Sequence, residues 1–252
     1  MNVNDIRTEF VRLLNNEEFV IDKSGVKTVE IIDAHFIADE EAIFGEPNYD
    51  YISRELMWYM SKSLNVNDIP GGAPAIWKQV ADKNGFINSN YGWCVFSEEN
   101  GNQFMQTANE LIANPFSRRA TMIYNRPSMH VDYNKNGMSD FMCTYSTQHF
   151  IRNNQLITCM NMRSNDAWAG YRNDLAWIKF VHNELLKRLN TWRKDAFIEG
   201  SKDYTSGPIY WSAGSLHIYE RQFYLIDHYA KTGENNISKD EYKNKFPESV
   251  FK

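Results

Sequence analysis

The chain has 252 residues, enough for one large domain or two small ones with a sizeable core. A net charge of −5 argues against a nucleic-acid-binding surface, yet leaves room for a small anion held by a few gathered basic residues. Three unclustered cysteines without CxxC spacing (Cys94, Cys143, Cys159) argue against a disulfide framework or a zinc site. The polar start MNVNDIRTEF and the absence of any run near 18 apolar residues point to a soluble, intracellular protein away from membranes. Seven Trp suit a pocket for a flat ring, although a bulky core is the commoner reason.

Residues 4–14 carry Ile6, Phe10, Leu13 and Leu14 at helical spacing, with Asn4 or Asp5 as the expected cap. A turn at Asp22-Lys23-Ser24-Gly25 precedes a β-rich run, 26–34. Residues 51–64 place Ile52, Leu56, Tyr59, Met60 and Leu64 on one helical face, predicting a buried helix. Glu55 falls among them. It is either a solvated glutamate or a carboxylate partly buried in a cleft, where a raised pKa would let it move protons. Residues 88–96 read as a turn entering a strand or pocket wall, and 102–113 as a helix stopping before Asn114-Pro115.

Ser117-Arg118-Arg119 then lead into a strand at 120–124; adjacent arginines are more often solvated than functional, but they suit a phosphate. The polar turn 131–137 lacks the spacing and final glutamate of a calcium loop. Strands 142–152 and 156–162 flank a tight turn at Asn153-Asn154. A helix after Asn173 shows Ile178, Val181, Leu185 and Leu189 on one face and ends near Asn190. Residues 191–207 read as loop, 209–219 as a strand interrupted at Gly214, 220–231 as a last helix, and the remainder as polar tail. No repeat or linker divides the chain, so a single domain, 1–252, is expected.

Taken singly, the residues between 143 and 174 are ambiguous. Cys143 alone is more readily read as an inert core thiol, and Arg163 follows a strand end, where a solvated arginine is common. Asp174, expected at the start of a helix, is as well read as a cap.

Taken together, the motifs resemble the thymidylate synthase superfamily. Cys143 stands five residues before Gln148. Arg163-Ser164-Asn165-Asp166 matches an Arg-Ser-x-Asp run, followed by Gly170 and a base-reading residue four further on. Ser117-Arg118-Arg119, His217-Ile218-Tyr219, Glu55 to Trp58, Ile76-Trp77 and Tyr91-Gly92 match in order. Phrases such as DKSGVKTVEII, INSNYGW, GMSDFMCT and NMRSNDAWAGYRND are similar to the deoxycytidylate hydroxymethylase branch found in large tailed bacteriophages. The chain departs from the synthases at Thr144 (histidine there), Asp174 (asparagine there) and a polar rather than apolar tail.

The Asp174 departure has a physical meaning. A carboxamide satisfies uracil, which offers an acceptor at O4 and a donor at N3. A carboxylate instead accepts from N4 of cytosine, and from N3 once N3 is protonated, as a charge-assisted pair.

The resemblance implies an α/β (α+β) fold with a large twisted mixed sheet flanked by helices, and a sheet-to-sheet homodimer with shared active sites. It implies Cys143 as nucleophile, Glu55 for proton transfers and Asp174 as reader of dCMP. Lys23, Arg163 and Ser164 would hold the 5′-phosphate, with Arg118 and Arg119 from a second subunit, and His217 and Tyr219 the deoxyribose. Trp77, Asp166 and Gly170 would face the co-substrate, 5,10-methylenetetrahydrofolate. No metal is implied. The expected product is 5-hydroxymethyl-dCMP, made in the host cytoplasm, with a phage nucleotide-synthesis complex as a further partner. The rival readings are a thymidylate synthase, a dUMP hydroxymethylase, or a non-catalytic nucleotide-binding subunit.

Overall fold

The computed structural model describes residues 1–22, 24–196 and 202–251. In chain order its elements are α1 (Val3–Asn15), β1 (Phe19–Ile21), β2 (Lys27–Ile37), α2 (Tyr49–Ser61), α3 (Ala75–Val80), α4 (Tyr91–Phe96), α5 (Gln103–Ala113), β3 (Thr121–Ile123), α6 (Met129–Asp132), β4 (Thr144–Arg152), β5 (Gln155–Asp166), α7 (Ala169–Asp195), β6 (Thr205–Tyr219), α8 (Phe223–Thr232) and α9 (Lys239–Lys245). The strands form one sheet in the order β1-β2-β6-β5-β4-β3. Pairings β1–β2, β2–β6, β3–β4 and β4–β5 are antiparallel. A Cβ on Gly207 would meet the Leu156 carbonyl, and one on Gly214 the Arg163 carbonyl. Both partners advance together, so β5 and β6 run parallel, joined by the crossover helix α7. The sheet is therefore mixed, as expected.

By contacts the described residues form two compact units, each made of separate chain segments. The first unit holds residues 1–47, 163–176 and 209–252; the second holds 48–162 and 177–208.

In the first unit, α1 buries Val3, Ile6, Phe10, Leu13 and Leu14. Its cap is Asn2, not Asn4 or Asp5: Asn2 accepts from Asp5 N while Asp5 returns a bond to Asn2 N, a reciprocal capping box. A second capping box, Ser238 with Glu241, starts α9 within the stretch read as polar tail. Tyr171 stands edge-to-face with Trp211, centroids 5.1 Å apart.

The second unit is built on aromatic packing. Tyr59, Tyr91, Tyr124, Phe96 and Trp177 form successive ring contacts with centroids 5.1 to 6.1 Å apart. A buried aromatic removes about 150–250 Å² from water. At about 25 cal/mol per Å² that is roughly 4–6 kcal/mol each as an upper bound. The tryptophan-rich composition thus serves a core here. Residues 88–96 are not a strand: Asn90 accepts from Trp93 N and caps α4. Gly92 lets α4 approach α2, because a Cβ there would lie 1.8 Å from the Tyr59 carbonyl oxygen.

Asn153 and Asn154 have φ of 50° and 61°, the left-handed pair that a two-residue hairpin requires. A polar chain through the buried Thr147, His149, Thr158 and His182 ends at the exposed Ser206. No helix among the described residues is long and apolar enough to cross a membrane.

Candidate active site

The expected site residues fall in both units, and each set is described within its own.

In the second unit, the buried stripe of α2 is Ile52, Glu55, Trp58 and Tyr59; Met60, expected inside, is 44 % exposed. Glu55 thus occupies a core position and is only 6 % exposed. Tyr51 OH, one turn earlier, donates to Glu55 Oε1 at 2.6 Å, and Trp77 Nε1 donates to the same oxygen at 3.1 Å. Trp77 Nε1 also lies 3.0 Å from Tyr51 OH. Burial raises the Glu55 carboxyl above the usual range, and the bonds from Tyr51 and then Trp77 pull it partway back. A carboxyl raised in this way is suited to taking and giving a proton. Tyr51 was not singled out in the sequence; its place four residues before Glu55 is the signal that could have found it.

Cys143 is half-buried just before β4. The register slips between Thr144 and Ser146, leaving Tyr145 as an extra residue two positions after Cys143. The other two cysteines are less suited to attack. Burial pushes Cys94 up to about 12 and also raises Cys159. Arg118 and Arg119 are exposed. The Arg118 carbonyl accepts from Gln148 Nε2 at 2.8 Å, tying this loop to β4. The Arg119 guanidinium pairs with Glu110 at 3.1 Å, an exposed pair that a phosphate could displace.

In the first unit, β5 continues to Asp166, so Arg163, Ser164 and Asp166 lie within the strand and not beyond its end. Burial alternates from Leu156 to Met162, slips at Arg163 and Ser164, and resumes with Asn165 inside. Helix α7 begins at Ala169, about a turn earlier than expected. Its start is closed by Asp166, whose Oδ1 accepts from Trp168 N at 2.8 Å. Asp174 therefore stands inside the helix and is not its cap. Asn165 Nδ2 donates to Asp174 Oδ2 at 2.8 Å.

Gly170 leaves room for this pair. Asp166 is raised by burial, against its own backbone bond and the charges of His217 and Arg221. On β6, His217 meets Tyr219 edge-to-face at 5.2 Å, and Ser215 Oγ lies 3.3 Å from His217 Nδ1 while donating to Glu30. The Ala167 amide donates to the His217 carbonyl at 2.7 Å, joining the two stretches. This unit thus gathers Arg163, Ser164, Asp166, Gly170, Asp174, His217 and Tyr219. Lys23 lies outside the described residues. No group of three His, Cys, Asp or Glu among the described residues could hold a metal.

This assembly has known counterparts. A family model described as thymidylate synthase matches residues 13–244, and the chain belongs to that family. It is 52 % identical over 246 residues to deoxycytidylate 5-hydroxymethyltransferase of Enterobacteria phage T4, covering 98 % of each chain. To the enzyme of the same name from Enterobacteria phage T6 it is 53 % identical, covering 96 % of each. The solved structure of thermostable thymidylate synthase A from Bacillus subtilis superposes with a TM-score of 0.66 at 18 % identity. That match covers 92 % of this chain and 84 % of the other, and it speaks for the fold.

Proposed function

We infer that this chain is a folate-dependent deoxycytidylate 5-hydroxymethyltransferase, converting dCMP, 5,10-methylenetetrahydrofolate and water to 5-hydroxymethyl-dCMP and tetrahydrofolate. The observation that carries this reading is identity above one half, over nearly the whole chain, to enzymes of that name. It is joined by an aspartate where the synthases carry asparagine.

In the reaction we assign, the Cys143 thiolate adds to C6 of cytosine and makes C5 nucleophilic. C5 takes the one-carbon unit from the folate. Loss of the C5 proton and of tetrahydrofolate leaves an exocyclic methylene on the base. Water adds to that methylene, and the thiolate leaves C6. Glu55 moves the protons, with Oε1 held by Tyr51 and Trp77. Asp174 accepts from N4 and from protonated N3, favouring the ring form that thiolate addition creates. Arg163 and Ser164 bind the 5′-phosphate, and His217 and Tyr219 the deoxyribose. Trp77, Asp166 and Gly170 face the folate, and the exposed apolar surface of Ile76 beside Trp77 suits a flat ring.

The partner we assign is a second copy. In the first unit Ile32 and Tyr210 expose apolar surface on the sheet, 68 % and 44 %; in the second, Tyr145 and Ile123 do so, 47 % and 52 %. Arg118 then serves the neighbouring copy's phosphate. Mixing inactive Arg118→Ala and Arg163→Ala subunits should restore activity by forming one intact site.

The deciding assay supplies dCMP and methylenetetrahydrofolate. It should yield a nucleotide heavier by CH2O together with tetrahydrofolate. Methylated nucleotide with stoichiometric dihydrofolate would mean a synthase, and nucleotide binding without turnover a non-catalytic subunit. On this reading the enzyme works in the host cytoplasm, where its substrates are.

A further inference from the structure

Asn165 is buried, 3 % exposed, and its side chain has two ends with different fates. Nδ2 donates to Asp174 Oδ2 at 2.8 Å. Oδ1 is buried with no hydrogen-bond partner among the described residues. A buried carbonyl left unmet is costly, so this amide is a poor choice for stability alone; an apolar residue of similar size would leave nothing unsatisfied. What the amide provides and an apolar residue cannot is the donor.

Gly170 is fitted to the same bond. A Cβ there would lie 3.0 Å from Asn165 Nδ2 and 3.7 Å from Asp174 Oδ2, so the glycine makes space for the two side chains to meet. The one-residue slip of burial at Arg163 and Ser164 turns Asn165 inward towards α7. Strand irregularity, glycine and amide all converge on one oxygen of Asp174.

We propose that Asn165 is a positioning residue for base selection, holding the Asp174 carboxylate fixed in orientation, with Gly170 clearing the space it needs. The proposal rests on the reading that Asp174 recognises cytosine. Its logic is one of donors and acceptors. An ionised carboxylate only accepts, which fits N4–H and protonated N3 of cytosine and repels O4 of uracil. A protonated carboxyl both donates and accepts, as a carboxamide does, and can therefore serve uracil. The N–H of Asn165 stabilises the ionised form and stops the carboxylate from rotating. Without it, the carboxylate loses its orientation, and discrimination narrows.

The test is a double-mutant cycle on the full-length enzyme, read as the ratio of dCMP to dUMP in two ways. One is kcat/KM with 5,10-methylenetetrahydrofolate, both nucleotides on the same preparation, so that any inactive fraction cancels. The other is Kd without folate, by equilibrium dialysis. Asn165→Ala should narrow discrimination roughly 10-fold, the loss expected of one hydrogen bond to a charged group. Gly170→Ala should act in the same direction by displacing Nδ2.

In an Asp174→Ala background, read by Kd, Asn165→Ala should move the ratio less than about 2-fold, because its acceptor is gone. Asn165→Ser, too short to reach, replaces the alanine variant if that does not fold and should behave the same way. If Asp174→Asn moves the ratio and the Asn165 variants do not, the positioning role is overturned while base reading by Asp174 stands. If the two effects simply add, Asn165 acts separately and the proposal also fails. If Asp174→Asn itself leaves the ratio unchanged, base reading falls, and this proposal with it.

Discussion

Glu55 in the second unit and Asp174 in the first are both carboxylates inside helices, and their surroundings differ in kind. Glu55 is taken almost wholly from water and given two neutral donors, a phenol and an indole, on one oxygen. Burial wins over those bonds and the carboxyl is raised. Asp174 is half-buried and takes an amide donor from a neighbouring strand. A proton mover needs its two states close in energy, whereas a base reader needs one state and one orientation. On the proposed reading the difference separates chemistry from selectivity within one reaction, and the variants below should pull the two apart.

The largest effect should come from Glu55→Gln. The amide keeps the shape and loses the proton, so kcat should drop on the order of 10³-fold. The Kd for dCMP and the preference for dCMP over dUMP should scarcely move. A shift in preference as large as the loss in kcat would mean that Glu55 also reads the base, and the contrast would collapse.

Asp174→Asn should do the converse. With a donor now facing the base, relative kcat/KM should swing towards dUMP on the order of 10²-fold. Asp174 lies within α7 rather than at its end, so a capping role cannot absorb the change. An unchanged ratio in both kcat/KM and Kd would remove Asp174 from base recognition.

Tyr51→Phe tests the balance at Glu55 and should be smaller, roughly 10-fold in kcat at mildly acidic pH. Tyr51 stabilises the ionised carboxylate, so deleting its hydroxyl lets burial raise the Glu55 carboxyl further. The acid limb of the kcat–pH profile should move to higher pH. Trp77→Phe should move it the same way by less. A stationary limb would show that Oε1 is not the oxygen whose proton matters.

How much of this was legible in the sequence differs from residue to residue, for physical reasons. The buried face of α7 and the Asn153-Asn154 turn follow from local periodicity and backbone preference, and both appear as read. Glu55 was legible as an acidic residue in an apolar stripe, but its depth was not, since burial depends on what packs over α2. Residues 88–96 misled because Tyr, Trp, Val and Phe favour strands, while the Asn90 cap decides for a helix. The start of α7 was placed late because Gly170 and Asn173 look like helix breakers; the side chain of Asp166 closes the helix before them. Asn165 occupied the variable position of a known motif and carried no local signal. Its partner is nine residues away, and only the slip in β5 turns it inward.

The smallest effect on activity, and one that tests whether burial alone makes a site, concerns His149 and His182. They are as buried as Glu55, hydrogen-bonded through Thr158 and flanked by Thr147 and Ser206. Burial pushes His149 down to about 3, helped by the charge His182 would carry, and it pushes His182 down to about 4. Both are neutral in the folded protein at neutral pH, and they titrate near 6.5 when exposed. The unfolded chain therefore binds more protons below about 6.5, and folding stability should be full above that pH and fall as pH drops towards 4. The loss amounts to about 2 kcal/mol per histidine at pH 5. Urea unfolding at pH 7.5 and pH 5 should show this loss, and His149→Asn, uncharged at both, should remove about half of it. At pH 7.5 the same variant should keep its dCMP preference and most of its kcat, unlike Glu55→Gln. If His149→Asn retains the full acid loss, groups other than His149 set the acid limit. If it loses turnover as Glu55→Gln does, burial has hidden a second functional group.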